Sequence, residues 1–320
     1  MEMQHRTRIV WIDWMKVIGM YFIILGHFFP PGYVYIYIFN VPVFFVISGF
    51  LAKKEDYQLK FWNKIINKYI VPLVFISIAM YIWNFYTWEA NEKTTKSLYF
   101  IYYALIGSQK CLGTGWFIYT LIIIRVIFQY SPSSKITHLS LFCIFSIISV
   151  YLQHHNIHHF NSITNVAPAY PLFLIGHILC KNKDIINHNY DIGNMIPLSL
   201  LSLVIIYFCG NINGEVWLYN NNYGNSFILF LIGSISGTIF IFILSIMMGN
   251  KINPIIQTLS LGNILTLGFH PIIVSLIGHH GSFVDYIFSF CILILFYPII
   301  LFSNSYFPYL LGTKKKTTIK

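Results

Sequence analysis

The sequence predicts an all-α protein, a polytopic integral membrane bundle of about ten transmembrane helices with both termini cytoplasmic. Three observations carry that expectation. Of 320 residues, 57% are hydrophobic and only 9% are charged, whereas soluble domains carry about 25% charged residues. The apolar residues gather into runs near the length a bilayer requires, roughly 20 residues with about 17 as a lower limit. The basic residues fall mostly in the short gaps between those runs. A mean hydropathy of +0.67, with 29 Phe and 23 Tyr, also excludes a disordered chain.

The first span, 9–29, runs through WIDWMKVIGMYFIILGHFF and stops at Pro30-Pro31. The second, 34–52, ends where Lys53 and Lys54 begin a polar loop, and the third, 69–86, comes after the basic stretch that loop leads into. The fourth, 114–130, opens on Gly-Thr-Gly and closes on Ser-Pro-Ser-Ser. The fifth and sixth, 139–152 and 168–180, are short for a bilayer. Longer apolar runs at 194–210, 226–248, 262–278 and 284–303 complete the set. Residues 98–107 (LYFIYYALIG) read as an interfacial helix or, at most, an eleventh span. The whole chain, 1–320, forms one domain with a short basic tail at 312–320. A cleavable signal peptide is not expected, because the first run carries Asp13 and Lys16 and lacks a small-residue cleavage site.

Orientation follows from the basic residues. With the N-terminus inside, the inner segments hold Arg6, Arg8, Lys53, Lys54, Lys60, Lys64, Lys68, Lys135, Lys181, Lys183, Lys251, Lys314, Lys315, Lys316 and Lys320. Only Lys93, Lys96 and Lys110 fall outside. That is the asymmetry of the positive-inside rule. The net charge of +10 therefore reports topology and membrane lipid, and no nucleic-acid partner is expected. The five cysteines are dispersed, with no CxxC pair, so neither a disulfide framework nor a thiol metal site is expected. The outer segments 211–225 (NINGEVWLYNNNYGN) and 153–161 (QHHNIHHFN) are rich in Asn, Tyr and His. Such side chains suit a neutral glycan and are equally ordinary in turns.

Ionisable groups at membrane depth are expensive and usually face the bundle interior. At 100° per residue, Lys16 and His27 lie within about 20° of one face of the first span. Asp13 lies about 40° from His27 in the other sense. The three form one stripe, with Lys16 and His27 about 16.5 Å apart along the axis. Asp13 and Lys16, three residues apart, are expected to pair. The run His154, His155, His158, His159 shares a helix face but lacks carboxylate or thiolate company, so no metal is expected there.

Residues 12–27 (IDWMKVIGMYFIILGH), with FNVPVFFVISGFL after them at 39–51, closely resemble the opening of the acyltransferase 3 family of integral membrane acyltransferases. The stretches GTGWFIYTLIIIR at 113–125 and LGNILTLGFHPII at 261–273 resemble two later segments of that family. The resemblance implies transfer of an acyl group, usually acetyl from acetyl-CoA, to a hydroxyl of a cell-envelope glycan or lipid-linked sugar. It implies a multi-pass protein of the cytoplasmic membrane. His27, Lys16, Asp13 and His270 would carry the reaction, with His27 as general base or acyl-carrying nucleophile. Lys60, Lys64 and Lys68, a helical turn apart, would hold the phosphates of CoA together with Arg125; the plain alternative is contact with anionic lipid. Two positions depart from the family. Lys16 stands where arginine is common, keeping the charge but losing the bidentate fork. Asn40 stands where histidine is frequent, and it cannot titrate.

Trp116 reads as packing at a tight turn, and Ser48 and Gly49 as a close helix crossing. The rival reading is a transporter or flippase for a lipid-linked glycan. Against it, the sequence shows no inverted repeat and no matched pair of broken helices.

Overall fold

The computed structural model describes residues 8–313 apart from 88, 90–91, 109–111, 156, 158–160, 182–191, 250 and 279. Among the described residues the chain is helical, and its only extended pairing is an isolated bridge between Trp217 and Asn222. In chain order the helices are α1 (Val10–Gly26), α2 (Tyr33–Tyr37), α3 (Pro42–Phe50), α4 (Gln58–Ile65), α5 (Val71–Thr87), α6 (Lys93–Leu105), α7 (Trp116–Tyr130), α8 (Lys135–His154), α9 (Asn161–Thr164), α10 (Val166–Lys181), α11 (Ile192–Asn213), α12 (Phe227–Met247), α13 (Pro254–Leu261), α14 (Asn263–Ile277) and α15 (Val284–Tyr306).

Eight described helices are long and apolar enough to cross a membrane, or nine if α13 and α14, bent by 77°, count as one span. That is fewer than the ten expected; α1, at 17 residues, sits at the lower length limit. Four spans differ from their expected form. The third span starts at Gln58, not near 69, because α4 and α5 are fused through a π-helical turn, Ile66–Ile70, into 29 continuous residues. The fifth and sixth spans reach 20 residues each, Lys135–His154 and Ser162–Lys181. The ninth expected span, 262–278, is preceded by a short helix, α13, from which α14 is bent by 77°. α6, with 13 residues, is too short to cross, in keeping with the interfacial reading.

Local signals explain the helix starts. The Ser134 hydroxyl caps α8 by accepting from the Thr137 amide (3.0 Å). Asn253 caps α13 by accepting from the Ile255 amide (2.9 Å), with Pro254 at the first helical position, where its missing N–H costs nothing. Packing then organises the bundle around α1, which contacts α2, α3, α12, α13, α14 and α15. It buries Met15, Met20, Ile23, Ile24 and Leu25. The closest crossing joins α3 to α10. A Cβ at Gly49 would fall on the Phe173 carbonyl, and one at Gly176 on the Val46 carbonyl. Only glycine lets two backbones approach this closely.

Candidate active site along the first helix

The polar stripe of α1 is answered by a polar edge on α13 and α14. Arg8, ahead of α1, donates to the Gln257 carbonyl (3.1 Å) and pairs with Asp13 (Nε to Oδ2, 2.5 Å). Ser260 donates to the other Asp13 oxygen (2.6 Å). Asn263 donates to the Lys16 carbonyl (3.4 Å). The bend at Gly262 separates α13, which carries Gln257 and Ser260, from α14, which carries Asn263 and His270. The expected Asp13–Lys16 pair does not form. Asp13 is buried and already satisfied by Arg8 and Ser260, so the Lys16 ammonium is left with no carboxylate partner among the described residues.

At the far end of the stripe the two histidines singled out by sequence meet. The rings of His27 and His270 lie 4.8 Å apart between centroids at 69°. His27 closes α1 as its C-terminal cap residue and is half-buried; His270 is fully buried in α14. A carbonyl can only accept, so the contact of His270 Nδ1 with the Thr266 carbonyl (3.0 Å) puts the proton on Nδ1. Nε2 is thereby left a bare acceptor, buried with no partner among the described residues.

Pro271, next in sequence, fixes the ring's surroundings further. Lacking an N–H, it leaves the Leu267 carbonyl unbonded one turn back. The Thr114 hydroxyl, in the 3₁₀ turn Gly113–Gly115, donates to that oxygen. The Gly-Thr-Gly-Trp segment thus stitches α7 to the turn carrying His270. The sequence pointed to Trp116, which is buried, but the hydroxyl beside it makes the link. His270-Pro271 was the available signal, since a proline advertises a free carbonyl four residues earlier.

The basic end of the bundle divides the expected lysine stripe. Lys60 and Lys64 both turn to Glu55 (3.1 and 2.6 Å). Arg125, buried, donates to the Lys53 carbonyl (3.0 Å). Lys68 lies beyond them on the π turn, over the Tyr69 ring at 5.4 Å. A π turn rotates the residues beyond it out of α-helical register, so Lys68 leaves the Glu55 row. Its charge is felt at Lys16 instead: Lys68 and Arg8 act on the Lys16 ammonium as like charges, with Asp13 as the opposing charge.

Glu55 also clamps its loop to α7, donating its amide to Gln129 Oε1 (3.0 Å) and accepting from Gln129 Nε2 through its carbonyl (2.8 Å). Hydrogen bonds from Lys64 first, and then Lys60, hold its carboxyl below the usual carboxylate range. Its stabilising effect is complete above the ordinary carboxylate value near 4.5 and is lost as pH falls through the depressed native one. Glu55→Gln should remove that dependence. We expect the thermal midpoints of wild type and variant to differ at pH ~6 and to converge only as pH falls well below the ordinary carboxylate value. The gap corresponds to at most about 1 kcal/mol because the ammonium ends are solvated. Parallel curves at all pH values would contradict this assignment.

Of the remaining residues, Asn40 is buried, and its Oδ1 accepts from the Val41 amide (2.8 Å). Its Nδ2 faces Gly26, immediately before His27. His154 and His155 meet edge-on at 5.0 Å at the end of α8; His158 and His159 lie outside the described residues. His280 approaches the buried carboxyl of Asp285 (3.4 Å) at the start of α15.

These residues fall inside one family match. The model of the acyltransferase 3 family, described as an acyltransferase domain, matches residues 9–313. No curated protein and no solved structure gives a significant match.

Proposed function

The chain belongs to the acyltransferase 3 family and is a multi-pass membrane acyltransferase, and we propose that it moves an acetyl group from acetyl-CoA to a hydroxyl of a cell-surface polysaccharide or lipid-linked sugar. The observation that carries this reading is the geometry of α1. It has two histidine rings 4.8 Å apart at one end and a lysine without a carboxylate partner about 16.5 Å away at the other.

A sugar hydroxyl is a poor nucleophile until its proton is removed, and imidazole is the side chain suited to that near neutral pH. In the proposed reaction His27 takes the hydroxyl proton as the sugar oxygen attacks the thioester carbonyl carbon. The carbon–sulfur bond breaks, and the CoA thiolate leaves with the proton returned by His27. His270 acts as a positioning residue, with a fixed tautomer whose acceptor nitrogen is buried near the His27 ring.

Lys16, Lys68 and Arg8 outnumber Asp13, and such an excess at membrane depth favours a polyanionic guest. The phosphates of CoA supply one, while the pantetheine arm is long enough to run along the stripe. The positive-inside rule puts that basic end in the cytoplasm, where the donor is made, and His27 toward the outer face of the inner membrane.

The test uses purified protein in vesicles with labelled acetyl-CoA and envelope glycan. We expect label in the glycan. With Lys16→Met we expect KM for acetyl-CoA to rise roughly 10–100-fold, the value of a hydrogen bond to a charged group, and Lys16→Arg to restore it. Glycan export without label transfer would favour the flippase; an unchanged KM would remove Lys16 from the donor site.

A further inference from the structure

Beyond His27, where α1 ends, the chain gathers a partly exposed aromatic cluster, called the recess below, that the reaction described so far does not use. Phe29 and Tyr37 stack nearly parallel (10°, centroids 6.1 Å). Trp217, from the loop between α11 and α12, meets both, at 5.7 Å from Phe29 and 4.9 Å from Tyr37. Tyr33 stands edge-on to Phe29 (5.7 Å) and Tyr219 edge-on to Trp217 (5.9 Å). Phe29 remains 36% exposed, and Trp217 and Tyr37 are only half-buried.

The polar group among them is the exposed carboxylate of Glu215. It accepts from the Tyr33 hydroxyl and from Trp217 Nε1 (3.1 Å), and these hydrogen bonds hold it below the usual carboxylate range. It forms no ion pair among the described residues. The recess is also fastened to the catalytic turn, because the Tyr37 hydroxyl donates to the Gly26 carbonyl (3.2 Å), one residue before His27.

Backbone strain is concentrated here as well. Among the described residues, Phe29 (φ 52°) and Asn221 (φ 57°) are the non-glycine positions with left-handed backbone. Asn221 lies in the same loop as Trp217 and is held there by donating to Thr164 (2.5 Å). For a bulky residue such as Phe29 that conformation is a genuine outlier, and strain of this kind gathers at ligand clamps.

Resting on the acetyl-transfer reading, we propose that this recess is the acceptor subsite and takes a neutral pyranose ring. The ring's C–H face lies on Trp217, Phe29 or Tyr37, and its hydroxyls donate to Glu215. Aromatic faces set beside a pre-oriented hydrogen-bond acceptor match the two-sided chemistry of a sugar. A uronate or phosphate-bearing unit is disfavoured by charge, since it would meet Glu215 with no ion-pair partner among the described residues to compensate. The link from Tyr37 to Gly26 then sets a bound hydroxyl near the His27 ring.

Full-length protein in nanodiscs is tested by saturation-transfer NMR with cellobiose, maltose and N,N′-diacetylchitobiose against digalacturonate. We expect saturation of at least one neutral disaccharide and none of digalacturonate. Trp217→Ala should weaken neutral binding at least about tenfold, as loss of a central aromatic anchor does. Trp217→Phe should keep part of the affinity, and Glu215→Gln should lose discrimination against digalacturonate. In the transfer assay, Trp217→Ala should raise the acceptor KM while the acetyl-CoA KM stays fixed. Because binding is read without turnover, absence of acetyl transfer with Trp217-dependent binding would sink the reaction and leave the subsite standing. Binding indifferent to Trp217 and Glu215, or equal for digalacturonate, would reduce the recess to an interfacial aromatic belt and overturn the proposal. Should Trp217→Ala not fold, Trp217→Phe and Glu215→Gln decide alone.

Discussion

Replacing His27 by Ala is expected to lower kcat for acetyl transfer by about 10²–10⁴-fold, the usual contribution of a positioned general base, while KM for acetyl-CoA barely moves. The donor's phosphates lie about 16.5 Å away along α1 in this reading, so loss of the imidazole removes an interaction made in the transition state rather than in the ground state. His27→Gln keeps a hydrogen-bonding side chain of similar reach and should be nearly as impaired, since an amide does not take up a proton. His270→Asn should lose less, because that ring acts through His27, and its residual activity should keep the wild-type KM for acetyl-CoA. The alanine variant keeps the backbone amide bonds by which His27 caps α1, and its insertion and thermal midpoint are measured alongside. Undiminished transfer by a correctly inserted His27→Ala protein would falsify the mechanism. An acyl-His27 intermediate, the other chemistry open to imidazole, would show as one labelled acetyl group per chain in the absence of glycan.

How much of this site the sequence disclosed depends on how far apart the partners lie in the chain. The stripe of Asp13, Lys16 and His27 is a property of one helix and follows from 3.6-residue periodicity. The groups facing the stripe are not, since Gln257, Ser260, Asn263 and His270 arrive from some 250 residues away. They come from two helices, α13 and α14, bent by 77° at Gly262, a feature no hydropathy pattern records. The partner of Asp13 is hidden for a related reason. Helical spacing favours the i,i+3 neighbour Lys16, but Arg8, in the non-helical segment ahead of α1, folds back onto the carboxylate. The basic stripe fails at Lys68 because a π turn breaks the register that its spacing assumes. Spans are easier to read than their lengths: apolar runs mark the helices, while an amphipathic extension such as α4 has the composition of a loop.

Substitution of Gly49 or Gly176 by Val is expected to abolish the folded protein, with no monodisperse species surviving size-exclusion chromatography in detergent. The reason lies in the atoms that the added groups would meet. A Cβ at Gly49 strikes the carbonyl group of Phe173 and crowds the His177 amide; one at Gly176 strikes the carbonyl group of Val46 and crowds the Phe50 amide. No rotamer relieves a clash between Cβ and backbone, so α3 and α10 must separate along their whole contact. Overpacking a core by a few methylenes costs about 1–3 kcal/mol when side chains can give way. Here they cannot, and the loss approaches the whole stability of a typical domain, about 5–15 kcal/mol. Gly49→Ala should fold poorly with a clearly lowered melting temperature, and Gly49→Ala/Gly176→Ala worse still, since both sites meet at one crossing and do not act independently. The crossing also reaches the chemistry. α3 begins beside Asn40, whose side chain backs Gly26, so any α3 displacement that still allowed folding would shift the turn bearing His27. Gly49→Ala should therefore lose more activity than its remaining folded fraction explains. A Gly49→Val protein that melted at the wild-type temperature would show that the two helices do not touch.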